Sequence, residues 1–319
     1  MALTACDDKP GKTKNTGNTT APTVKPEPVA VPDFSADSAY AYIEKQLDFG
    51  PRAPGTSAHR KCGDWIVAKL KGYGATVVEQ EGEVNAWDIE GNELTLPMRN
   101  IIASFAPEKG RRVVFSAHWD TRPFADQDNE RQKQPIPGAN DGGSGVAVLL
   151  EMASHFSKQN PKVGVDLFFW DVEDHGNPYV ENSYCLGTQY WGRSPHKPGY
   201  KALYGINLDM VGAKGATFLL EGHSLRIGKS LLEKVWKRGI ELGYQRQFTY
   251  VPAGAITDDH YYMNLAMGIP VIDIIDMRPN SGQTFFGGWH THQDDIHMID
   301  RVTLKAVGQT MLHIAYEEE

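Results

Sequence analysis

Acidic and imidazole side chains recur in this sequence where short apolar runs stop. His118 and Asp120 follow VVF in RRVVFSAHWD, Asp141 stands in GANDGGSG, Glu173 and Asp174 follow VDLFFW, Asp209 ends YGINLD, and His290 lies in GGWHTHQDD. Apolar runs of this length read as buried strands, and open α/β sheets bind their ligands beyond the carboxyl ends of such strands. Carboxylates and imidazoles gathered there suit a borderline divalent ion, zinc above all. Burying several such charges without a metal would be costly. The residues point to a metallohydrolase or a close chemical relative.

Asp141 and His290 are the strongest individual ligand candidates. Asp141 sits between Asn140 and two glycines, where a tight backbone can turn its carboxylate inward. Taken singly, an Asp before Gly-Gly is a common turn residue, and a loop His is ordinary; recurrence at separate strand ends is what raises their weight. Glu173 and Asp174 are adjacent, so an extended backbone would point them to opposite sides. One could then bind metal while the other meets the substrate as a general base, its pKa raised by partial burial. In ITDDHYYMNLAMGIP, Thr257 reads as a helix cap with Asp258 and Asp259 in the first turn. The helix accounts for one of these acids and leaves the other for a substrate.

The elements that must hold these groups follow from periodicity. Helices are expected over Asp37–Leu47, capped by Ser35, and over about 56–71, ending at Gly72. ATVVEQ, NIIASF and RRVVFSA read as strands. A helix opens at Gly142-Gly143, with Val146, Leu149, Leu150, Ala153 and Phe156 on one face. VDLFFWD, YGINLDM and PVIDIID are further strands, and helices are expected from Ile227 to Leu242 and from Val302 to Tyr316. Strands alternating with helices predict an α/β fold: a mixed, mainly parallel central sheet with helices on both faces. Long loops at about 121–140, 174–200 and 277–297 are placed to shape a site.

Among the 319 residues, 40% are hydrophobic and 23% charged, enough for a sizeable core. The net charge of -8 argues against nucleic acid as the main partner. No apolar stretch reaches the length of a membrane span. Leu3-Thr4-Ala5-Cys6 resembles the lipobox of bacterial lipoproteins, and residues 7–32 are rich in Lys, Thr, Asn and Pro, as a disordered tether would be. The expected organisation is a tether over 1–33 and one catalytic domain over 34–319, held at the periplasm or cell envelope through a lipid on Cys6. Cys62 and Cys185 lack the close spacing of a zinc-thiolate pair and are expected as buried or free thiols.

In this order and spacing, HWD, NDGGSG, the acid pair after a strand, LDMVG, DDH and WHT resemble the co-catalytic zinc aminopeptidases. They are more similar to the zinc-dependent glutaminyl cyclases of the animal type, which share that fold, over about residues 36–316. The doubled acid Asp258-Asp259 and Trp289 before His290 favour the cyclases, as does Phe285 at the matching position of the aromatic pocket wall. The resemblance implies one zinc held by Asp141, Asp174 and His290. Glu173 would transfer the proton, Asp209 and Asp258 would position the reacting groups, and Phe285 and Trp289 would enclose the substrate. It implies that His118 stays beside Asp209 without binding metal. Asp174 departs from the Glu that most animal members carry, so the coordination should shift slightly. The implied reaction closes the N-terminal glutamine of peptides and proteins to pyroglutamate with release of ammonia, by a chain acting as a monomer. Two alternatives stand: a di-zinc aminopeptidase using His118, Asp141, Asp174, Asp209 and His290, and a lipid-anchored binding protein that has lost catalysis.

Overall fold

The structure, a computed structural model, describes residues 1–5, 30–278 and 284–319. Cys6 and most of the expected tether lie outside the described residues. Two helices come first. α1 (Ala36–Leu47) is capped by Ser35, whose hydroxyl accepts from the Ser38 amide, and α2 (Ser57–Gly72) is capped by Thr56. β1 (Thr76–Trp87) and β2 (Glu93–Phe105) form an antiparallel hairpin paired along its whole length. Then follow β3 (Arg112–His118), α3 (Gly143–Phe156), β4 (Gly164–Trp170), α4 (Leu186–Arg193), β5 (Gly205–Asp209) and β6 (Phe218–Leu220). α5 (Gly222–Ile227), α6 (Lys229–Glu241), β7 (Phe248–Pro252), α7 (Asp259–Met267), β8 (Val271–Ile275) and α8 (Arg301–Tyr316) complete the chain.

Six strands form the main sheet in the order β1-β2-β4-β3-β5-β8, while β6 and β7 pair apart from it. β4, β3, β5 and β8 run parallel, and β2 joins β4 antiparallel. This is the mixed, mainly parallel sheet that the strand–helix alternation predicts. Residues of β4 alternate between two buried layers. Val165, Leu167 and Phe169 pack with side chains of α1, α3 and α8, whereas Phe168 and Trp170 pack with Trp191 of α4 and Met263 of α7. Both faces of the strand are covered, which explains why VDLFFW is apolar at nearly every position. Burying Phe168 and Phe169 contributes roughly 1.5–3 kcal/mol each.

Four expectations need correction. The strand pair extends well beyond ATVVEQ and NIIASF, because exposed Glu81 and Glu83 alternate with half-buried positions on an edge strand that faces water. The helix expected over 227–242 is α6, which starts only after Gly228, where a Cβ would come within 2.8 Å of Ile272 in β8, and a separate short helix, α5, precedes it. The loop at 174–200 contains α4. Finally, α7 is capped by Asp258 rather than Thr257: the Asp258 carboxylate accepts from the Asp259 amide. Cys62 and Cys185 are buried free thiols, as expected.

Candidate active site

The site is built at the carboxyl ends of the parallel strands. β3 and β5 are neighbours whose onward connections lead to opposite sides, β3 to β4 and β5 on to β8, and His118 is the last residue of β3. Asp209 ends the neighbouring β5. His118 Nε2 lies 3.3 Å from Asp209 Oδ1 and 3.0 Å from Asp141 Oδ1. Asp141 is presented by the turn that opens α3. Gly142 there has φ +74°, and a Cβ on it would stand 2.6 Å from the carbonyl oxygen of Asp120. Only glycine fits that turn without strain. The Asn140 and Asp141 amides donate to the Asp294 carboxylate at 2.8 and 3.0 Å, tying the turn to the loop that carries His290.

Glu173 and Asp174 are not on extended backbone. Val172 has φ +53°, an uncommon conformation for a β-branched residue, and it turns the chain just after β4. The Glu173 and Asp174 amides then donate to the Asp120 carboxylate at 3.1 and 3.2 Å, and the Cys185 amide donates to the Glu173 carbonyl at 2.9 Å. Both acids therefore face one cavity instead of opposite sides. His290 and Met210, the residue after Asp209, also have positive φ, at +54° and +50°. Each of these turns aims a polar side chain at a common point, the kind of place where backbone strain collects.

That point is a cavity of about 210 Å³. Asp141, Glu173, Asp174, Asp209, Asp258, Phe285, Trp289 and His290, the residues singled out in the sequence, all line it. Tyr184, Met210, Ile256, Thr257 and Ile275 complete the wall. Trp289 stacks on the His290 ring at 3.7 Å between centroids and tilts against Phe285 at 4.8 Å. Asp259 is turned away and accepts from the Thr188 hydroxyl, so of the doubled acid only Asp258 reaches the cavity. Asp258 also accepts from Asn207 Nδ2 at 3.0 Å. Sequence reasoning missed Tyr184, Arg122, Asp126 and Cys185, whose thiol donates to Glu173 Oε1 at 3.4 Å. Only the nearness of Arg122 to HWD hints at a role for it.

Among the described residues four groups of side chains have atoms close enough to hold a metal ion, and two of them, Asp141–Asp174–His290 and His118–Asp141–Asp209, share Asp141. Ligands 2.0–2.2 Å from a tetrahedral zinc stand roughly 3.3–3.5 Å apart. His290 Nε2 is 3.9 Å from Asp141 Oδ2, and the Asp174 carboxylate approaches it to 3.2 Å through Oδ1, so the imidazole and the two carboxylates stand near that spacing. Asp174 Oδ2 is buried with no hydrogen-bond partner among the described residues, as a ligand oxygen would be. The residues fit zinc. Nitrogen and carboxylate oxygen donors are those zinc takes.

Crowded acids in a buried site disturb one another. Burial pushes the Glu173 carboxyl well above its usual range; His118 opposes this, while Asp174 and Asp258 add to it. Burial likewise raises Asp209 to about 7, with Asp258 and Asp141 contributing. Burial alone would also raise Asp174, yet His290 and Arg122 hold it below the ordinary carboxylate range. For His118 burial favours the neutral ring, but Asp120, Asp141 and Asp209 around it raise its pKa well above the usual value. One acid ready to hold a proton and one held ionised stand side by side, a pattern found at proton-transfer sites.

Solved structures and curated relatives share this architecture. The chain is 46% identical to Tannerella forsythia glutaminyl cyclase, with a TM-score of 0.87 over 90% of this chain and 100% of that one. It is 48% identical to a Zn-dependent exopeptidase from Parabacteroides distasonis, again with a TM-score of 0.87, over 91% of this chain and 100% of that one. Bovine glutaminyl-peptide cyclotransferase is 27% identical over 238 residues, a match spanning 64% of this chain and 62% of that protein. The model of peptidase family M28 matches residues 100–315, from β2 through nearly all of α8 and with every strand-end acid and histidine described above inside it. The chain belongs to peptidase family M28.

Proposed function

We propose that this protein is a zinc-dependent glutaminyl-peptide cyclotransferase, converting the N-terminal glutamine of peptides and proteins to pyroglutamate and ammonia. The observation that carries the reading is the composition of one small cavity. An Asp141–Asp174–His290 ligand group occupies one wall, three further acids face it, and Phe285 with Trp289 closes an apolar side. The 46% identity to the Tannerella enzyme over its whole length supports the same reading.

Held by Asp141, Asp174 and His290, a single zinc would supply Lewis-acid polarisation of the substrate's γ-carboxamide carbonyl. The remaining work falls to side chains. The aliphatic part of glutamine packs on Phe285 and Trp289, which also exclude water, the competing nucleophile. The substrate's own α-amine attacks the carbonyl carbon of that carboxamide, forming the ring C–N bond. Glu173 takes the proton released by that amine and passes it to the departing nitrogen as the C–N bond of the carboxamide breaks, so no net proton is consumed before ammonia leaves. A carboxyl whose pKa burial has raised can both accept and return a proton near neutrality. Asp209 and Asp258 line the same cavity and hold the reacting amide and amine in register.

Incubation with Gln-Xaa and Leu-Xaa peptides tests the reading. Ammonia should appear from the first, with no free leucine from the second; free leucine without ammonia would overturn it. The His118–Asp141–Asp209 group favours a second reading, a di-zinc aminopeptidase. Metal analysis should return close to one zinc per chain. The reading also includes attachment to the cell envelope through Cys6, action as a monomer, and exported proteins with newly exposed N-terminal glutamine as substrates.

A further inference from the structure

One buried guanidinium joins two of the three residues assigned to the metal. Arg122 is fully buried. Its Nε and Nη2 donate to the two carboxylate oxygens of Asp126 at 2.6 and 3.1 Å, a forked contact. Its Nη1 donates to the carbonyl oxygen of Asp174 at 3.0 Å and to Asp174 Oδ1 at 3.2 Å. Asp126 Oδ1 in turn lies 3.1 Å from His290 Nδ1. The guanidinium stacks 4.4 Å from the Phe124 ring centroid, which leaves it little freedom to move. An isolated buried arginine is costly, and an arginine serving only the fold could satisfy itself on backbone carbonyls. Arg122 does donate to the backbone carbonyls of Asp174 and Gly176, but it spends three further bonds on the carboxylates of Asp126 and Asp174, each of which touches His290.

We propose that Arg122 and Asp126 are positioning residues for the metal site, acting through Asp174 and His290. Asp126 Oδ1 is the acceptor placed to receive the Nδ1 proton of His290, 3.1 Å away, which would fix the tautomer that leaves Nε2 free to ligate. Arg122 locks Asp126 in place by its forked contact and occupies Asp174 Oδ1. That leaves Asp174 Oδ2, buried and without a hydrogen-bond partner among the described residues, as the free oxygen. The clamp also suits an aspartate at the second ligand position, because a short side chain held at its backbone carbonyl and at one oxygen has little room to swing. Carboxylate partners of metal-ligating histidines are worth about 10–100-fold in metal affinity. Lysine cannot replace the arginine, since it lacks the planar fork.

The inference rests on the assignment of Asp141, Asp174 and His290 as ligands, so the experiment includes a ligand variant. Zinc affinity of purified wild type, Asp126→Asn, Asp126→Glu, Arg122→Lys and His290→Ala is measured by competition with a chromophoric chelator. The visible spectrum of each cobalt-substituted protein and the melting temperature of each zinc-free protein are recorded alongside. Asp126→Asn and Arg122→Lys should weaken zinc about 10–100-fold and alter the cobalt bands. Asp126→Glu should recover part of the loss, and the zinc-free Asp126→Asn protein should melt close to wild type. Wild-type affinity and spectrum in both Asp126→Asn and Arg122→Lys, with His290→Ala losing zinc, would overturn the positioning role alone. Unchanged zinc affinity in His290→Ala would instead overturn the ligand assignment. If Arg122→Lys fails to fold, the Asp126 pair decides.

Discussion

Glu173 is held from three sides. Its Oε1 accepts from the Cys185 thiol at 3.4 Å, its Oε2 lies 3.7 Å from His118 Nδ1, and its amide is fixed by Asp120 at 3.1 Å. The carboxyl therefore has a defined orientation and a raised affinity for its proton, the two properties a proton carrier needs. Glu173→Gln keeps the volume and removes the titration. Turnover should fall about 10²–10⁴-fold, the usual worth of a general acid–base group, while zinc content and melting temperature stay at wild-type values. Retention of most of the activity, with zinc bound, would remove Glu173 from its role. The distinction from Asp174 is local. The two carboxylates are adjacent in sequence, yet one faces His118 and Cys185 while the other faces Arg122 and His290.

At the scale of elements, two helix starts carry acids whose duties can be separated. Asp258 caps α7 and also lines the cavity. Asp258→Ala should lose both, lowering turnover and costing about 1 kcal/mol of stability through the missing cap. Asp258→Asn retains a capping side chain, so its stability should stay near wild type while its activity still falls. Urea unfolding of the two variants beside their turnover rates checks this; equal stability losses would mean that the cap is not what distinguishes them. Glu221 is buried at the start of α5, accepting from the His223 and Ser224 amides at 2.7 Å each. Burial alone would raise its pKa, but His260 and those amides hold the carboxyl at about 2. A carboxyl depressed on folding stabilises the protein above its unfolded pKa, and that stability is lost as pH falls toward the folded value. The window therefore runs from about 4.5 down to about 2. Glu221→Gln should destabilise the zinc-free protein at neutral pH, and the gap from wild type should be smaller by about 1 kcal/mol at about pH 3.5 than at about pH 5.5. A gap that does not change with pH would contradict the ionised role.

For the molecule as a whole, the metal is the counter-charge to a pit of acids. Asp141, Asp174, Glu173 and Asp209 surround one cavity; Asp141, Asp174 and Asp209 are buried and Glu173 is partly buried. Zinc that binds only the folded chain stabilises it by about 2.7 kcal/mol at 100 times its dissociation constant. For a chain of this size that amounts to roughly 4 °C in melting temperature. Chelation should lower the melting temperature by that order and abolish turnover, with zinc restoring both. A chelated, demonstrably zinc-free protein that melts and turns over as before would exclude the metal from structure and reaction alike.

Much of this protein was legible before any coordinates. The short runs VVF, VDLFFW and YGINL revealed β3, β4 and β5 because strands buried on both faces need apolar side chains at almost every position. The acids and histidines stood out at their ends because charge there is conspicuous. Asp141, Glu173, Asp174, Asp209 and Asp258 were visible as chemistry near a strand or helix boundary, and His290 as chemistry in a loop. The edge hairpin was half read, since a strand facing water shows no such run, and the break at Gly228 depends on how closely β8 approaches. Tertiary structure alone decided the partnerships. Arg122 meets Asp174 across 52 residues and Asp126 meets His290 across 164, distances at which no local period survives. The turn at Val172 put both acids of an adjacent pair into one cavity, where an extended chain would have separated them. The types of groups available for chemistry belong to the sequence; which atom each one faces is set by strand order and by a few residues of left-handed backbone, and these exist only once the chain has packed.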